Sequence, residues 1–126
     1  MKPWMLLLAV LVFPLNAASQ ANLDTLVSAL KTERATGRDG IMMYSIAGAG
    51  RAFLVANTKL QLRKQAQLYC PPNLPLNSSN YADIAIRQYE HDKATGVHEL
   101  PLAQESPLDV LVFALLDGLQ RTFPCK

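Results

Sequence analysis

Residues 106–126 read SPLDVLVFALLDGLQRTFPCK. Ser106 followed by Pro107 starts a helix. The serine side chain can accept a free backbone N–H of the first turn, and proline, with fixed φ and no N–H, suits the first helical position. Leu108, Leu111, Val112, Leu115, Leu116 and Leu119 then recur at spacings that put them on one helical face. A stripe this apolar must be buried against other elements, so the last helix predicts a bundle around it. After it come Phe123, Pro124 and Cys125, with one lysine following. Chain ends fray unless they are tied down, and a cysteine in that place asks for a partner.

The other cysteine is Cys70, within Tyr69-Cys70-Pro71-Pro72. A bridge from Cys70 to Cys125 would close a loop of 55 residues (125 minus 70) and pin the C-terminus to that proline turn. On the chain-entropy account this stabilises by about 4 kcal/mol before strain. A free thiol or an intermolecular bridge are the alternatives.

Pairing requires an oxidising compartment. Residues 1–21, MKPWMLLLAVLVFPLNAASQA, carry Lys2, an apolar run over residues 4–13, Pro14, and the small residues Ala17, Ala18, Ser19 and Ala21. That is the layout of a secretory signal peptide, with cleavage after Ala18 or after Ala21. The run is shorter than the roughly 20 apolar residues of a membrane span. The alternatives are a buried helix or an uncleaved anchor. Residues 22–126 are then one domain. Of 12 basic residues one is Lys2, which leaves near balance against 10 acidic residues and argues against a nucleic-acid binder.

The interior reads as helices. Leu23, Leu26, Val27 and Leu30 share a face, with Asn22 as a cap and Gly37 as the residue that ends the helix. Asp39 caps a second helix that is apolar on most sides (Ile41, Met42, Tyr44, Ile46, Ala49, Phe53, Val55), a pattern typical of a central helix. Gly48, Ala49, Gly50 and Ala52 would admit a close neighbour. Residues 54–68 read as helix with a break near Asn57, or as a short alternating strand over residues 59–64. The prolines at 71, 72 and 75 exclude a helix interior. Asn77-Ser78-Ser79 caps a third helix over about residues 80–93, with Tyr81, Ile84, Ala85, Gln88 and Tyr89 on one stripe; the triplet also fits a glycosylation acceptor. Residues 94–105 read as a loop. The fold class is all-α, a compact bundle of four to five helices stapled by one disulfide.

No catalytic motif stands out. His91 and His98, beside Glu90, Asp92 and Glu99, lack metal-site spacing and read as a solvated loop; neither metal nor other cofactor is expected. A Ser–His pair assembled by the fold is the remaining enzymatic option. Charge is more informative. Between Asp39 and Asp83 there is no acidic residue, and the span holds Arg51, Lys59, Arg63 and Lys64. Such polarity either solvates a helix face or orients a partner.

The stretches YSIAGAGRAF, LYCPP, SSNYADIAIRQYEHD and SPLDVLVFALLDGLQRTFPC occur in an order that resembles the Rap/Tai-type immunity proteins of bacterial type VI secretion systems. Tyr44, Gly48, Cys70, Pro71, Tyr89, Ala114, Leu115, Phe123, Pro124 and Cys125 stand at the matching positions. The likeness covers residues 41–125, and its most specific part is Phe-Pro-Cys after an apolar helix. The stretch over residues 55–69 is longer than usual in that family, and His91-Asp92-Lys93 stands where a His-Pro often follows the family tyrosine.

The resemblance implies a periplasmic, non-enzymatic inhibitor that covers the active site of an effector, a peptidoglycan amidase delivered by neighbouring cells. The expected contacts lie on one or both of two segments, residues 59–67, through Lys59, Arg63 and Lys64, and residues 91–102, through Gly96, Val97, His98 and Glu99. No nucleic acid is expected as a partner, and no membrane once the leader is removed. A homodimer is a further expectation, since the second and last helices are more apolar than a small core requires. The rival reading is a small periplasmic chaperone or an envelope-associated binding protein with another partner.

Overall fold

In a computed structural model, which describes the backbone of residues 15–96 and 106–126 and side chains from Asn22 onward, Ser106 and Asn77 both open helices as their sequence context predicts. The described residues form four helices: α1 (Leu15–Thr36), α2 (Ile41–Leu62), α3 (Ser78–Thr95) and α4 (Pro107–Thr122). No strand occurs among the described residues. Leu30 of α1, Ile46 of α2, Ala82 and Ala85 of α3, and Leu111, Leu115 and Leu119 of α4 are fully buried and form one core. The close packing of α3 on α4 depends on Gly118. A Cβ there would lie 2.6 Å from Ile84 Cγ2.

Several boundaries differ from expectation for identifiable reasons. Asn22 is the eighth residue of α1 and not its cap, because Ala17, Ala18 and Ala21, the best helix formers, carry the helix back to Leu15. α1 therefore spans both expected cleavage points. The apolar run of the expected leader lies outside the described residues. At the other end of α1, Gly37 takes φ +63°, the left-handed conformation expected of it.

Asp39 does not cap α2. The N-cap is Gly40, and the capping acceptor comes from α1. The Glu33 carboxylate accepts the backbone N–H of Met43 at 2.8 Å and that of Met42 at 3.4 Å. A negative group there complements the positive end of the helix dipole. Glycine at position 40 leaves room for this arrangement, since a Cβ there would displace the Glu33 carboxyl.

α2 has no break near Asn57, nor a strand after it. The helix runs on to Leu62, and Asn57 is buried within it. Nor is α2 a central helix. Met42, Met43 and Ile46 face the core, but Ile41, Tyr44, Val55 and Leu62 are exposed. Close approach occurs at Gly50, where a Cβ would overlap the Tyr81 ring, and not at Gly48, which faces open space. α3 continues through Ala94 and Thr95, expected as loop, and closes on Gly96 at φ +69°.

The disulfide joins Cys70 to Cys125 with Cα atoms 5.0 Å apart. Beside it the Cys70 N–H donates to the Phe123 carbonyl at 2.9 Å. The end of the chain is thus held by a covalent bond and a backbone hydrogen bond at the same place.

Candidate interaction surface

Of the residues singled out in the sequence, Lys59, Arg63 and Lys64 come together on one turn. Residues 58–66 are exposed apart from half-buried Leu60, so the end of α2 stands clear of the core. It closes in a Schellman motif: the Gln65 N–H donates to the Leu60 carbonyl at 2.9 Å and the Lys64 N–H to the Gln61 carbonyl at 3.0 Å. The residue that must be left-handed in this motif is Lys64, at φ 55°. Among the described residues it is the one non-glycine position with positive φ. Glycine takes that conformation without the steric penalty that a Cβ brings.

The second expected segment is only partly described. His91 is exposed on α3, with Nδ1 3.4 Å from Asp92 Oδ1, and Gly96 ends the helix. Val97, His98 and Glu99, with the rest of that segment, lie outside the described residues.

No family model, curated protein or solved structure matches this chain.

Two arrangements escape a reading of the sequence. The first is Asn57. From inside α2 its Oδ1 accepts the Leu68 N–H and its Nδ2 donates to the Tyr69 carbonyl, each at 2.7 Å. This two-way bond folds the chain after α2 back against the helix. The available signal is an asparagine amid apolar neighbours; it reads as a helix break because asparagine competes with the helical backbone. The second is a set of ion pairs between α1 and α3. Arg34 makes a two-pronged contact with Asp83, both bonds 2.9 Å; Lys93 meets Asp24 at 2.9 Å and Lys31 meets Glu90 at 2.5 Å. Tyr89 also donates to Asp24. Such pairs join residues 49 or more positions apart, which helical spacing does not reveal.

Among the described residues Tyr69 is the largest fully buried side chain. No hydrogen bond of normal geometry reaches its hydroxyl. Burial pushes its phenol up to about 12, and the neighbouring Tyr81 adds to the effect. Burial also raises Tyr81, with the positive charge of Arg51 acting against it. Tyr69 and Tyr81 line a cleft of about 210 Å³ with Leu54, Leu74, Leu76 and the prolines of the 71–75 loop. A shallower dish of about 430 Å³ lies between α3 and the end of α4, beside Asp83, Arg87 and Phe123. Ser45 and Ser106 are engaged with backbone, Ser45 donating to the Ile41 carbonyl and Ser106 capping α4. Among the described residues no group of three histidine, cysteine or carboxylate side chains is placed to hold a metal.

Proposed function

We propose that this chain is a periplasmic immunity protein of the Rap/Tai kind, which binds an amidase-type effector and covers its active site. The observation that carries the reading is the meeting of the most specific sequence feature, Phe-Pro-Cys, with the Cys-Pro turn. Cys70-Pro71 and Phe123-Pro124-Cys125 are joined by a disulfide and by the Cys70–Phe123 backbone bond. A scaffold fixed in this way presents its surface pre-organised, which lowers the ordering cost of tight binding. Exposed Lys59, Arg63 and Lys64, with Lys64 held in an unfavourable backbone conformation, fit a surface kept for a partner.

The test is co-purification from an oxidising compartment, followed by co-expression with each bound protein in a periplasm. One toxic cell-wall hydrolase that is neutralised by this chain is the expected result. Several weakly bound, non-toxic clients would instead support the chaperone reading, which the exposed Ile41, Tyr44, Val55 and Leu62 favour.

A further inference from the structure

The outer side of α2 differs from the rest of the described surface in two ways at once. Ile41, Gly48, Val55 and Leu62 recur every seventh residue, with Tyr44 alongside, so a narrow apolar line runs the whole length of the helix. A seven-residue repeat is the spacing by which one helix receives another. Charge is the second difference. Arg51, Lys59, Arg63 and Lys64 are exposed and take part in none of the ion pairs among the described residues. On α1 and α3, Lys31, Arg34 and Lys93 are tied to carboxylates, while Arg38, Arg87 and Arg121 stand outside those pairs as well; what sets the α2 cations apart is the acid-free stretch of chain that carries them. No acidic residue occurs from position 40 to position 82. Beside this face lies the cleft of Leu54, Tyr69, Leu74 and Tyr81, with Leu74 79 % exposed at its rim.

We propose that the outer face of α2 docks an amphipathic, acidic helix of a partner protein, whose carboxylates meet Arg51, Lys59, Arg63 and Lys64 and one of whose apolar side chains enters the cleft beside Leu74. This rests on the reading of the chain as an inhibitor of another protein, and it names the chemistry of the segment recognised. A second copy is a poorer occupant. Arg51 stands at the middle of α2, so an antiparallel pair of these helices would bring two arginines together with no acid on either face. An anionic membrane is poorer too. An interfacial helix needs a broad apolar face with aromatic anchors, whereas this line is one residue wide and flanked by Arg51 and Lys59.

The probes are two synthetic three-heptad helical peptides with leucine at the a and d positions, one carrying glutamate and the other lysine elsewhere. Each is titrated by NMR into the full oxidised chain. The glutamate peptide should shift resonances of Arg51, Val55, Lys59, Leu62 and Leu74, and the lysine peptide should bind at least roughly tenfold more weakly. The double substitution Arg51→Glu, Lys59→Glu should invert that preference. Val55→Glu, at a position 60 % exposed and therefore outside the core, should abolish binding with the circular dichroism unchanged. Equal binding of both peptides would overturn the proposal. So would shifts confined to α1 and α3, concentration-dependent self-association through α2, or protection of these same residues by phosphatidylglycerol vesicles. The peptide assay needs no toxin, so its failure leaves the inhibitory reading standing, and failure to find a neutralised toxin leaves the peptide result intact.

Discussion

Asn57 grips Tyr69 by its backbone: the carboxamide of one buried residue donates to the carbonyl of the other at 2.7 Å while accepting the N–H of Leu68. Tyr69 in turn precedes Cys70, so this bond sets where the disulfide begins. Asn57→Ala leaves two backbone groups unpaired at a buried site, which should destabilise by about 2–4 kcal/mol. Urea unfolding measures it. Asn57→Asp should also destabilise, since a carboxylate cannot donate to the Tyr69 carbonyl. A neutral Asn57→Ala variant would show that the two bonds contribute nothing to stability.

Lys64 occupies a left-handed position that glycine would fill more cheaply. Lys64→Gly is expected to stabilise the fold by about 0.5–1 kcal/mol, through relief of the Cβ penalty. The same variant should weaken partner binding if the side chain is what the position is kept for. Thermal denaturation reads the first effect and titration with the glutamate peptide the second.

Gly48 and Gly50 lie two residues apart and should respond oppositely to alanine. At Gly48 a methyl group would meet nothing within 4 Å, so Gly48→Ala should gain about 0.5–1 kcal/mol from helix propensity. Gly50→Ala drives a methyl into the Tyr81 ring, and overpacking of this kind costs about 1–3 kcal/mol. Parallel denaturant curves that shifted in the same direction would contradict the packing described for α2 on α3.

The phenol of Tyr69 ionises at about 12 in the fold, against 10.0 for an ordinary tyrosine. Below pH 10 both folded and unfolded chains hold the proton, and the contribution is fully present. Between pH 10 and 12 only the unfolded chain releases it, so stability falls as pH rises, by on the order of 2 kcal/mol. Urea midpoints measured across this window should decline in the wild type and decline less in Tyr69→Phe. At neutral pH, Tyr69→Phe removes a buried hydroxyl whose one polar neighbour is the phenol of Tyr81, a contact outside normal hydrogen-bond geometry, so the loss of stability should stay below about 1 kcal/mol.

Reduction opens a loop of 55 residues. The expected loss is up to about 4 kcal/mol, lessened where the Cys70–Phe123 backbone bond continues to hold the chain end. A melting temperature that falls in dithiothreitol for the wild type, and is indifferent to it in the double variant Cys70→Ser, Cys125→Ser, is the result that fits.

Local signals are legible from the residues alone. Ser106-Pro107, Asn77 and Gly37 act over one turn of backbone, and the apolar stripe of Leu111, Leu115 and Leu119 repeats every turn, so each declares itself in a short window. With two cysteines in the whole chain, their pairing is legible as well. The basic turn of Lys59, Arg63 and Lys64 is visible as composition, though not as a projecting helix end. What escapes are contacts made across the fold. Glu33 capping α2, Asn57 holding the 68–69 backbone and Arg34 clasping Asp83 join residues 9 to 49 positions apart. Whether an asparagine breaks a helix or a carboxylate caps one depends on which backbone groups packing brings within about 3 Å. The same holds for α2: its apolar residues predict a central helix, yet the core is filled from one side of it, and the line from Ile41 to Leu62 is left facing outward. Residue type determines that a side chain must find a partner, and only the packing of α1, α3 and α4 determines which side chains have already found one.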